Sequence, residues 1–581
     1  MRYHYAHTST EATTGYFTCK PDPAPSLADA LAYLAAHPFD DFMRRDLLRR
    51  IAVEPGASAL LQQQSVRSSP LRALMAEVLL FEQLASGQDA SPDTAEPLPP
   101  ADASSLIYLR WAKLPDRQLQ QRWVAFFSTN QREHRILAPL EKTGLPPLYD
   151  ASLEAAPATP QDVSLPGAAN VFTAPFPVSL ASLHAQYKPA VAQEETPDIA
   201  QTIALAEARL HEAGILAGPE MRHTASLSPI ALLRPWRIAL SVRQGRHDYE
   251  VQGQAISYGR GLSLEKARVS CLMEVVERAS AYPGIEENCV SNRKNAAPLR
   301  FASRSTLVAE GLAAVNPNDY PLEAPYNDAP LAWMEGFSYS CEGTRETVLV
   351  PVQMVGLFCN LDEITLYDAP GSTGIGAGTT AEWAMRTALL EVLERDAEAT
   401  SPYSKARCFT LAPDSHTGPE LGALMRAYAA RGIQVMFQDV TGEMGVPVYK
   451  CFVLTRKGAV TAGYGCSLCA RSALVSALTE TPFPYPDGGP SGPLLRKLPS
   501  VSAADLPDYS LGNVKAEFAL LDSLLRRNGR TAVYVPLTRS DLEFPVVRCL
   551  VPGMELAADR DTFSRIPRRL YANYLKLMQY G

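Results

Sequence analysis

Two stretches of the chain repeat one pattern, and this repeat decides the fold. The first stretch is Gly259-Arg260-Gly261-Leu262-Ser263-Leu264-Glu265-Lys266-Ala267, and it ends in Glu274-Val275-Val276-Glu277-Arg278. The second is Gly376-Ala377-Gly378-Thr379-Thr380-Ala381-Glu382-Trp383-Ala384, and it ends in Glu391-Val392-Leu393-Glu394-Arg395. The two stretches align without a gap. Because such self-similarity marks a repeated structural unit, the sequence predicts two copies of a glycine loop followed by a helix.

The glycine loops point to a ligand with negative charge. Ser263 and Thr380 hold matching positions and are predicted as helix N-caps. Glycine lets backbone amides come close to a ligand, and the N-terminus of a helix favours negative charge. A single Gly-x-Gly before a helix is usually only a turn, so the repetition carries the prediction of a phosphate site.

Each helix is expected to carry a pair of glutamates on one face. Glu274 and Glu277 are three residues apart, which places both on one side of a helix, and Glu391 and Glu394 repeat this spacing. One interpretation is a solvated face with Glu–Arg pairs. The neighbouring valines and leucines favour a second interpretation, in which a binding partner holds the carboxylates, because carboxylates among apolar residues need partners. Mg²⁺ is a suitable partner, since it binds through one or two carboxylates and phosphate oxygens.

Composition narrows the class of protein. The chain has 581 residues, 46% of them hydrophobic, which indicates two or three domains with ample core. A net charge of -8 argues against a general nucleic-acid binder. The first residues lack the pattern of a signal peptide, and no apolar run is long enough to span a bilayer. We therefore predict no membrane segment. Ten cysteines in a chain of this length do not make a disulfide scaffold, so we predict a cytoplasmic protein.

Changes along the chain predict three parts. Helical spacing of apolar residues predicts an all-α N-terminal module over residues 1–143. Residues 144–184 are rich in proline and are predicted as an extended linker. Over residues 185–581, strand-like segments alternate with helices, which predicts an α/β (α+β) domain that contains the duplicated units. Its predicted helices are 199–214, 264–281, 381–399, 418–431, 471–480 and 515–527, and its predicted strands are 237–242, 249–251, 348–350, 435–437, 448–454 and 533–535.

These motifs resemble those of a known family. The blocks 259–278 and 372–396 resemble the two ATP-site motifs of the YcaO family. Residues 349–353 resemble the strand before the second motif, and residues 545–555 resemble a segment near the end of the catalytic domain. The resemblance covers residues 185–560, so it implies a YcaO-like domain preceded by a helical extension.

The resemblance also implies an activity. YcaO enzymes bind ATP and Mg²⁺ and phosphorylate the oxygen of a peptide-backbone amide, and a nucleophile then attacks the activated carbon. A Cys, Ser or Thr side chain gives an azoline, and sulfide gives a thioamide. The metal ligands that the resemblance implies are Glu274, Glu277, Glu391 and Glu394. The nucleotide contacts that it implies are Arg260, Ser270, Arg278, Thr379 and Arg395, and no catalytic residue is assigned.

The chain departs from the family pattern in both glycine loops. Arg260 stands where the family has lysine, which keeps the charge but changes its geometry. Thr379 stands where the family has an asparagine that contacts the nucleotide, and Gly376 occupies a spacer position. The loops are therefore altered while the acidic ends of the helices are intact.

Further departures lie in the second and third helices. Trp383 replaces a glutamate, and Glu382 one residue earlier is turned by about 100° on a helix, so it is a poor substitute. The third motif keeps Glu480 but loses its glutamine, and Pro482 is predicted to end that helix.

We therefore predict ATP- and Mg²⁺-dependent activation of a peptide-backbone amide, for azoline or thioamide formation in modified-peptide biosynthesis. The predicted partners are a peptide or protein substrate, a further partner protein and a second copy of the chain in a homodimer, with no nucleic acid and no membrane. The alternative hypothesis is a degenerate YcaO-like scaffold that binds a peptide or partner protein. An accessory role in modifying a ribosomal protein is a third hypothesis that no residue singles out. Cys466 and Cys469 form a lone C-x-x-C and are interpreted as incidental thiols.

Overall fold

Three β-sheets form the centre of this computed structural model, and each supplies one strand to a glycine-loop unit. The structure describes residues 1–8, 16–86, 106–149, 178–186, 197–357, 360–368, 371–414, 418–555 and 560–580. Helices pack on the sheets, so the predicted mixed α/β fold is confirmed.

The first sheet is built on one long hairpin. Its strands are β1 (Arg2–Thr8), β2 (Tyr16–Pro21), β3 (Met221–Arg222), β4 (Ile230–Gln244), β5 (His247–Gly261), β6 (Ile285–Glu286) and β7 (Cys289–Val290). In space the order is β2-β1-β5-β4-β6-β7, with β3 beside β4. β4 and β5 pair antiparallel along their whole length, and Gly259 and Gly261 of the predicted first glycine loop are the last glycines of β5, so the loop itself is reduced to the two residues before the helix that begins at Leu264.

The second and third sheets supply the other two loops. The second contains β8 (Arg300–Ala302), β9 (Leu331–Tyr339), β10 (Arg345–Pro351), β11 (Ile375–Ala377), β17 (Val533–Pro536) and β18 (Val546–Leu550), with β10-β9-β17-β18-β11 in order and β8 beside β9. The third contains β12 (Cys408–Leu411), β13 (Met436–Asp439), β14 (Val448–Leu454), β15 (Val460–Cys466) and β16 (Ser500–Val501), in the order β15-β14-β13-β12-β16. β11 and β15 are therefore edge strands, and each is followed by a helix that packs on it.

The helices of the described residues are spread over the whole chain. Those before the first long hairpin are α1 (Leu27–Ala36), α2 (Asp41–Val53), α3 (Ala57–Ser65), α4 (Ser69–Ala85), α5 (Ile107–Ala112), α6 (Arg117–Glu133), α7 (Leu140–Thr143), α8 (Leu180–His184) and α9 (Ile199–Glu212). Those after it are α10 (Leu264–Ala281), α11 (Arg304–Ala309), α12 (Val352–Val355), α13 (Ala381–Thr400), α14 (Pro419–Ala430), α15 (Ala470–Glu480), α16 (Val514–Arg527) and α17 (Arg568–Tyr580).

The two predicted helices that carry the glutamates begin where the sequence indicates. Ser263 Oγ accepts a hydrogen bond from the amide of Lys266 at 3.3 Å, and Thr380 Oγ1 accepts one from the amide of Trp383 at 3.2 Å. Both residues are therefore N-caps, because each satisfies an amide of the first turn. The other helices and strands predicted from residue 199 onward are also present, with helix ends that differ by one or two residues.

The first residues correct the expectation of an all-helical N-terminal module. Tyr3 and Tyr5 are buried while His4 between them is exposed, and this alternation of period two is typical of a strand. β1 pairs parallel with β5, with Tyr3 opposite Val251. Residues 2–8 and 16–21 thus extend the first sheet, and the helical part of the module begins at Leu27.

The predicted N-terminal module also does not form an independent unit. The predicted linker, residues 144–184, lies mostly outside the described residues, but α8 at its end is helical, with Leu180 and Leu183 buried in the core. Trp123 of α6 packs with Tyr574 of α17, so the last helix completes the core of the N-terminal helices. The N-terminal helices and the C-terminal end of the chain therefore share one core.

The structure contains a third copy of the glycine–helix unit, which was not predicted. β15 carries Gly465 and leads into α15, just as β5 and β11 carry Gly259 and Gly376 and lead into α10 and α13. A Cβ atom on these glycines would meet the carbonyl oxygens of Ala267, Ala384 and Ala473 at 2.2, 2.4 and 2.2 Å respectively. Because each alanine is fully buried, only glycine lets the strand and helix approach this closely.

The three units follow one another round a closed ring. α10 packs on β5 and also contacts β11; α13 packs on β11 and contacts β15; α15 packs on β15 and contacts β5. Each sheet therefore contributes one strand and one helix to a common centre.

Replacing Gly465 by alanine should lower the free energy of unfolding by at least about 2 kcal/mol, because the new Cβ would overlap backbone atoms of α15. Gly442→Ala is the matched control, since nothing lies within 4 Å of its Cβ position, and it should change stability by less than about 0.5 kcal/mol. Denaturant titration measures both. Equal effects of the two substitutions would contradict the close packing of the third unit.

Candidate functional site

Glutamates from all three helices meet at the centre of the ring. Glu391 of α13 lies close enough to interact electrostatically with Glu277, Glu394 and Glu480. Glu480 of α15 also interacts with Glu274 of α10. The structure thus brings the four predicted glutamates together and adds Glu480 as a fifth, and their role as metal ligands stays a prediction.

Two of these carboxylates are held by a backbone amide in, or just before, the strand that precedes their own helix. Glu274 Oε2 accepts a hydrogen bond from the amide of Tyr258 at 2.9 Å. Glu391 Oε2 accepts one from the amide of Gly374 at 3.1 Å. The close approach of strand and helix at the glycines makes these bonds possible, so the repeated packing also orients the carboxylates.

Burial and mutual repulsion disfavour the ionised form of several glutamates. Burial, followed by the charges of Glu391 and Glu274, raises the pKa of Glu277 to about 8. Burial, with Glu480, Glu391 and Glu398, raises the pKa of Glu394 to about 8. Burial also raises the pKa of Glu480. A divalent cation among these oxygens would stabilise the ionised form, so the group fits the chemistry of a metal site.

Arginines from the same helices supply the opposite charge. Arg278 lies 3.5 Å from both Glu274 and Glu277, and Arg395 lies 3.4 Å from Glu394 and 2.8 Å from Glu398. Burial lowers the pKa of Arg395, but these carboxylates outweigh it and raise that pKa well above its ordinary value. The Glu–Arg pairs of the alternative interpretation therefore exist, but the face that carries them is largely buried.

A further arginine, Arg548 of β18, was not assigned a role from the sequence. Its side chain is buried opposite Ile375 of β11, and its Nη1 donates a hydrogen bond to the carbonyl of Gly371 at 2.8 Å. Burial, offset by Glu391, lowers its pKa to about 10. Glu391 thus interacts electrostatically with arginines of two helices and one strand.

The glycine loops present donors that the described residues do not satisfy. Arg260 Nε and Nη2 and Thr379 Oγ1 are buried without a hydrogen-bond partner among the described residues. Such atoms fit phosphate oxygens, which accept strong hydrogen bonds from guanidinium and hydroxyl groups. Arg260 also interacts electrostatically with Glu480, so it faces the carboxylates. Ser270, predicted as a nucleotide contact, is exposed on α10, one turn before Glu274.

The departures from the family pattern have visible consequences. Trp383 is half-buried beside the second loop, where a Cβ on Gly378 would meet its side chain at 2.7 Å. Glu382 interacts with Tyr339 of the second sheet and is absent from the interactions that link the five glutamates. α15 ends at Glu480, as Pro482 predicts. The acidic centre is therefore retained while one side of the loop carries a bulky ring.

The third unit could have been found from spacing alone. In all three copies an alanine, a serine or threonine, a leucine and a glutamate follow the glycine at the same four intervals. The third copy ends in Ala473, Ser476, Leu478 and Glu480. The signal was hidden because this copy lacks the second glycine and the terminal Glu-Arg pair.

The glutamate centre is not by itself a preassembled metal site. Among the described residues, these five glutamates included, no group of three or more His, Cys, Asp or Glu side chains is placed to hold a metal ion. A centre built from fewer carboxylates together with phosphate oxygens matches the way proteins hold Mg²⁺. Cys466 and Cys469 form no disulfide bond, and their interpretation as incidental thiols stays a prediction.

Comparison with known protein families finds a match in this region. Residues 258–482 match the model of the YcaO family, described as a cyclodehydratase that binds ATP and Mg²⁺. The match confirms the resemblance, and it runs from β5 to just beyond α15, so it spans all three units. The predicted cofactors, ATP and Mg²⁺, are the ones that this description names.

Similar individual proteins were also found. An uncharacterized protein of Methanothermobacter thermautotrophicus is 24% identical over 333 residues, which cover 52% of this chain and 82% of that protein. The structure of a heterocyclase in complex with substrate and cofactor is 18% identical with a TM-score of 0.47, covering 64% of this chain and 55% of that chain. The structure of YcaO from Methanopyrus kandleri bound with AMPPCP and Mg²⁺ is 20% identical with a TM-score of 0.43, covering 63% of this chain and 95% of that chain.

Stability should depend on pH through the buried glutamates. Unfolded, Glu394 titrates near 4.5, and folded it titrates at about 8, so between these values the folded state holds more protons. The free energy of unfolding should therefore fall as pH rises from about 5 to 8. Since glutamine mimics the protonated carboxyl, Glu394→Gln should raise stability at pH 8.5 by about 1 kcal/mol or more relative to the wild type, with little change at pH 5.

Glu265→Gln serves as the control for this measurement, because Glu265 is exposed in the first turn of α10. Denaturant titrations at both pH values should show the same small effect of this substitution. Parallel pH curves for the wild type and the Glu394 variant would refute the assignment of Glu394 as a carboxyl that burial protonates.

Proposed function

We propose that this chain binds ATP with Mg²⁺ among its three glycine–helix units and activates a peptide-backbone amide by phosphorylating its oxygen. The observation that carries the proposal is the convergence of five glutamates and three arginines from facing helices and one adjoining strand. Phosphoryl transfer needs positioning and charge neutralisation more than covalent help, and this centre supplies both.

The carboxylates would hold the metal. Glu391 interacts with three of the other four glutamates, so it is the best placed to contact cations on two sides, one toward Glu277 and one toward Glu394 and Glu480. Glu391 with Glu277 on one side, and Glu391 with Glu394 and Glu480 on the other, would supply the carboxylates, and phosphate oxygens would complete the coordination that Mg²⁺ prefers.

The basic groups would hold the nucleotide. Arg260 and Thr379 present unsatisfied donors at the loops, where helix N-termini favour phosphate. Arg278 and Arg395 pair with the glutamates, and a cation that took over these carboxylates would free both guanidinium groups for phosphate oxygens. Ser270 is exposed to solvent, so its hydroxyl is accessible for the predicted contact with the nucleotide.

Bound ATP would supply the phosphoryl group that makes the amide carbon electrophilic. We propose this activation step for the chain: the γ-phosphoryl group of ATP would pass to the amide oxygen and leave ADP. A nucleophile would then attack the carbon, and phosphate would leave with the former amide oxygen, which gives an azoline or thioamide in a modified peptide. The choice between the two depends on the nucleophile, which is a side chain of the peptide in one case and sulfide in the other. The predicted substrate is therefore a peptide or protein.

A second candidate function is a scaffold that binds a peptide or partner protein without nucleotide chemistry. The observation that favours it is Trp383, whose ring packs beside Gly378 where the family pattern has a carboxylate. Partner binding that is indifferent to ATP, Mg²⁺ and Glu274→Gln would support this candidate.

The remaining predictions concern assembly and location. No helix of the described residues is long and apolar enough to cross a membrane. A homodimer and a cytoplasmic location stay predictions, and the mass of the protein in solution decides the first of them.

Replacing Glu391 by glutamine should weaken Mg²⁺-dependent ATP binding by at least about 10-fold, because the substitution removes the central negative charge. Glutamine keeps an oxygen that can accept the hydrogen bond of Gly374, so the fold should persist. Calorimetric titration of ATP in the presence of Mg²⁺ measures the effect, with the exposed Glu265→Gln as control. Absence of binding by both the wild type and the variant would refute the enzyme proposal.

A further inference from the structure

The C-terminal helix α17 has two different faces. One face is aromatic and packs on α6, with ring centroids 5.1 Å apart for Trp123 and Tyr571 and 5.6 Å apart for Phe127 and Tyr574. The aromatic contacts are extended by the hydroxyl of Tyr574, which donates a hydrogen bond to the carbonyl of Ala138 at 2.6 Å. This face joins α17 firmly to the N-terminal helices.

The other face of α17 is polar and holds the end of α13. Arg569 forms a two-pronged ion pair with Asp396, with Nη1 2.8 Å from Oδ2 and Nη2 bonded to Oδ1. Asn573 Nδ2 donates a hydrogen bond to the carbonyl of Thr400 at 2.9 Å. Asp396 Oδ1 also accepts the amide of Glu555 at 2.9 Å.

The ion pair is shielded from water. The side chains of Arg569 and Asp396 are only 12% and 9% exposed. A buried pair of this geometry is rigid, because separating the two side chains would leave each charge buried without water to solvate it. The pair therefore fixes the rotation and the axial position of the last turns of α13.

Those turns carry one side of the candidate site. Asp396 directly follows Arg395 and lies two residues after Glu394, while Glu391 stands just over one turn earlier on the same helix. Glu398, which holds Arg395 at 2.8 Å, lies between Asp396 and Thr400. Any rotation of α13 would move Glu394 and Arg395 relative to Glu480 on α15.

We propose that Arg569 is a positioning residue that, through Asp396, sets the orientation of Glu394 and Arg395 in the carboxylate centre. The N-terminal helices and α17 act together as a brace for this centre, which gives the N-terminal region a role in the site without contact with the nucleotide. The proposal rests on the proposed function, because it concerns the same Mg²⁺-dependent site.

The chain offers a matched control on the same C-terminal segment. Arg565 forms an ion pair of the same two-pronged form with Asp116, at 3.0 and 2.7 Å. Asp116 is the residue before α6, so this pair ties the segment to the N-terminal helices but has no bond to α13. Arg565→Gln therefore removes an ion pair of the same form from this segment while it leaves the pair between Arg569 and Asp396 in place.

The test measures the Mg²⁺ concentration that gives half-maximal ATP binding. Arg569→Gln should raise it by about 10-fold, Arg569→Lys should restore part of the loss, and Arg565→Gln should leave it within about 2-fold of the wild type. Asp396→Asn should act like Arg569→Gln, and the double variant should be no worse than the more severe single one. If Arg569→Gln does not fold, Arg569→Lys and Asp396→Asn carry the same comparison.

Hydrogen exchange without any ligand separates this inference from the proposed function. Amides of residues 391–400 should exchange faster in Arg569→Gln and at the wild-type rate in Arg565→Gln. If the wild type binds no ATP, the proposed function fails while the exchange experiment still tests the brace. Binding by the wild type with an unchanged Mg²⁺ dependence in Arg569→Gln and Asp396→Asn would overturn the inference.

Discussion

Repulsion among buried carboxylates is the constraint on which the rest of this structure depends. Glu391 interacts electrostatically with three other glutamates in a region from which water is largely excluded, so burial and the neighbouring charges disfavour the ionised forms of these carboxylates. The structure relieves this repulsion by raising the pKa of Glu277 and Glu394 and by placing arginines among the carboxylates. A protein that only needed stability would do better with apolar residues here, so the cluster points to a cation.

Close packing of glycine against alanine places these carboxylates. At Gly259, Gly376 and Gly465, a strand and a helix approach so closely that there is no room for a Cβ atom. In each helix, a glutamate two turns after the alanine that contacts this glycine then reaches the centre. Because three sheets each provide one such unit, the centre is surrounded by backbone that is itself held in a sheet. The N-terminal strands and the C-terminal helix add support from outside the ring, through β5 and α13.

Much of the fold could be predicted from the sequence, and the parts that could not have physical reasons. Ser263 and Thr380 were recognisable as N-caps because capping is a local interaction, and the strand 448–454 was recognisable from its β-branched and aromatic residues. β1 was missed because a short strand with alternating tyrosines is a weak signal beside longer helices. The pairing of Asp396 with Arg569 joins residues far apart in the chain, so no local pattern could reveal it.

The candidate site was also predictable only in part. The spacing of Glu274, Glu277, Glu391 and Glu394 predicted two acidic helices, and the structure supplies what spacing could not, namely that these helices face each other and a third. Arg548 was invisible to spacing because it lies on β18, which pairs with β11 in space but is far from the glutamates in the sequence. Glu480 lacked the neighbouring Glu-Arg pair that made the other two copies recognisable.

Proton release on nucleotide binding tests the central claim most directly. Calorimetric titration with preformed Mg-ATP at pH 7, in buffers of different ionisation enthalpy, counts the protons that leave the protein. If a cation takes over carboxyls with pKa values of about 8, binding should release at least about one proton per nucleotide, and Glu394→Gln should reduce that number. Binding without proton release, or no binding, would contradict the assignment of the carboxylate centre as a Mg-ATP site.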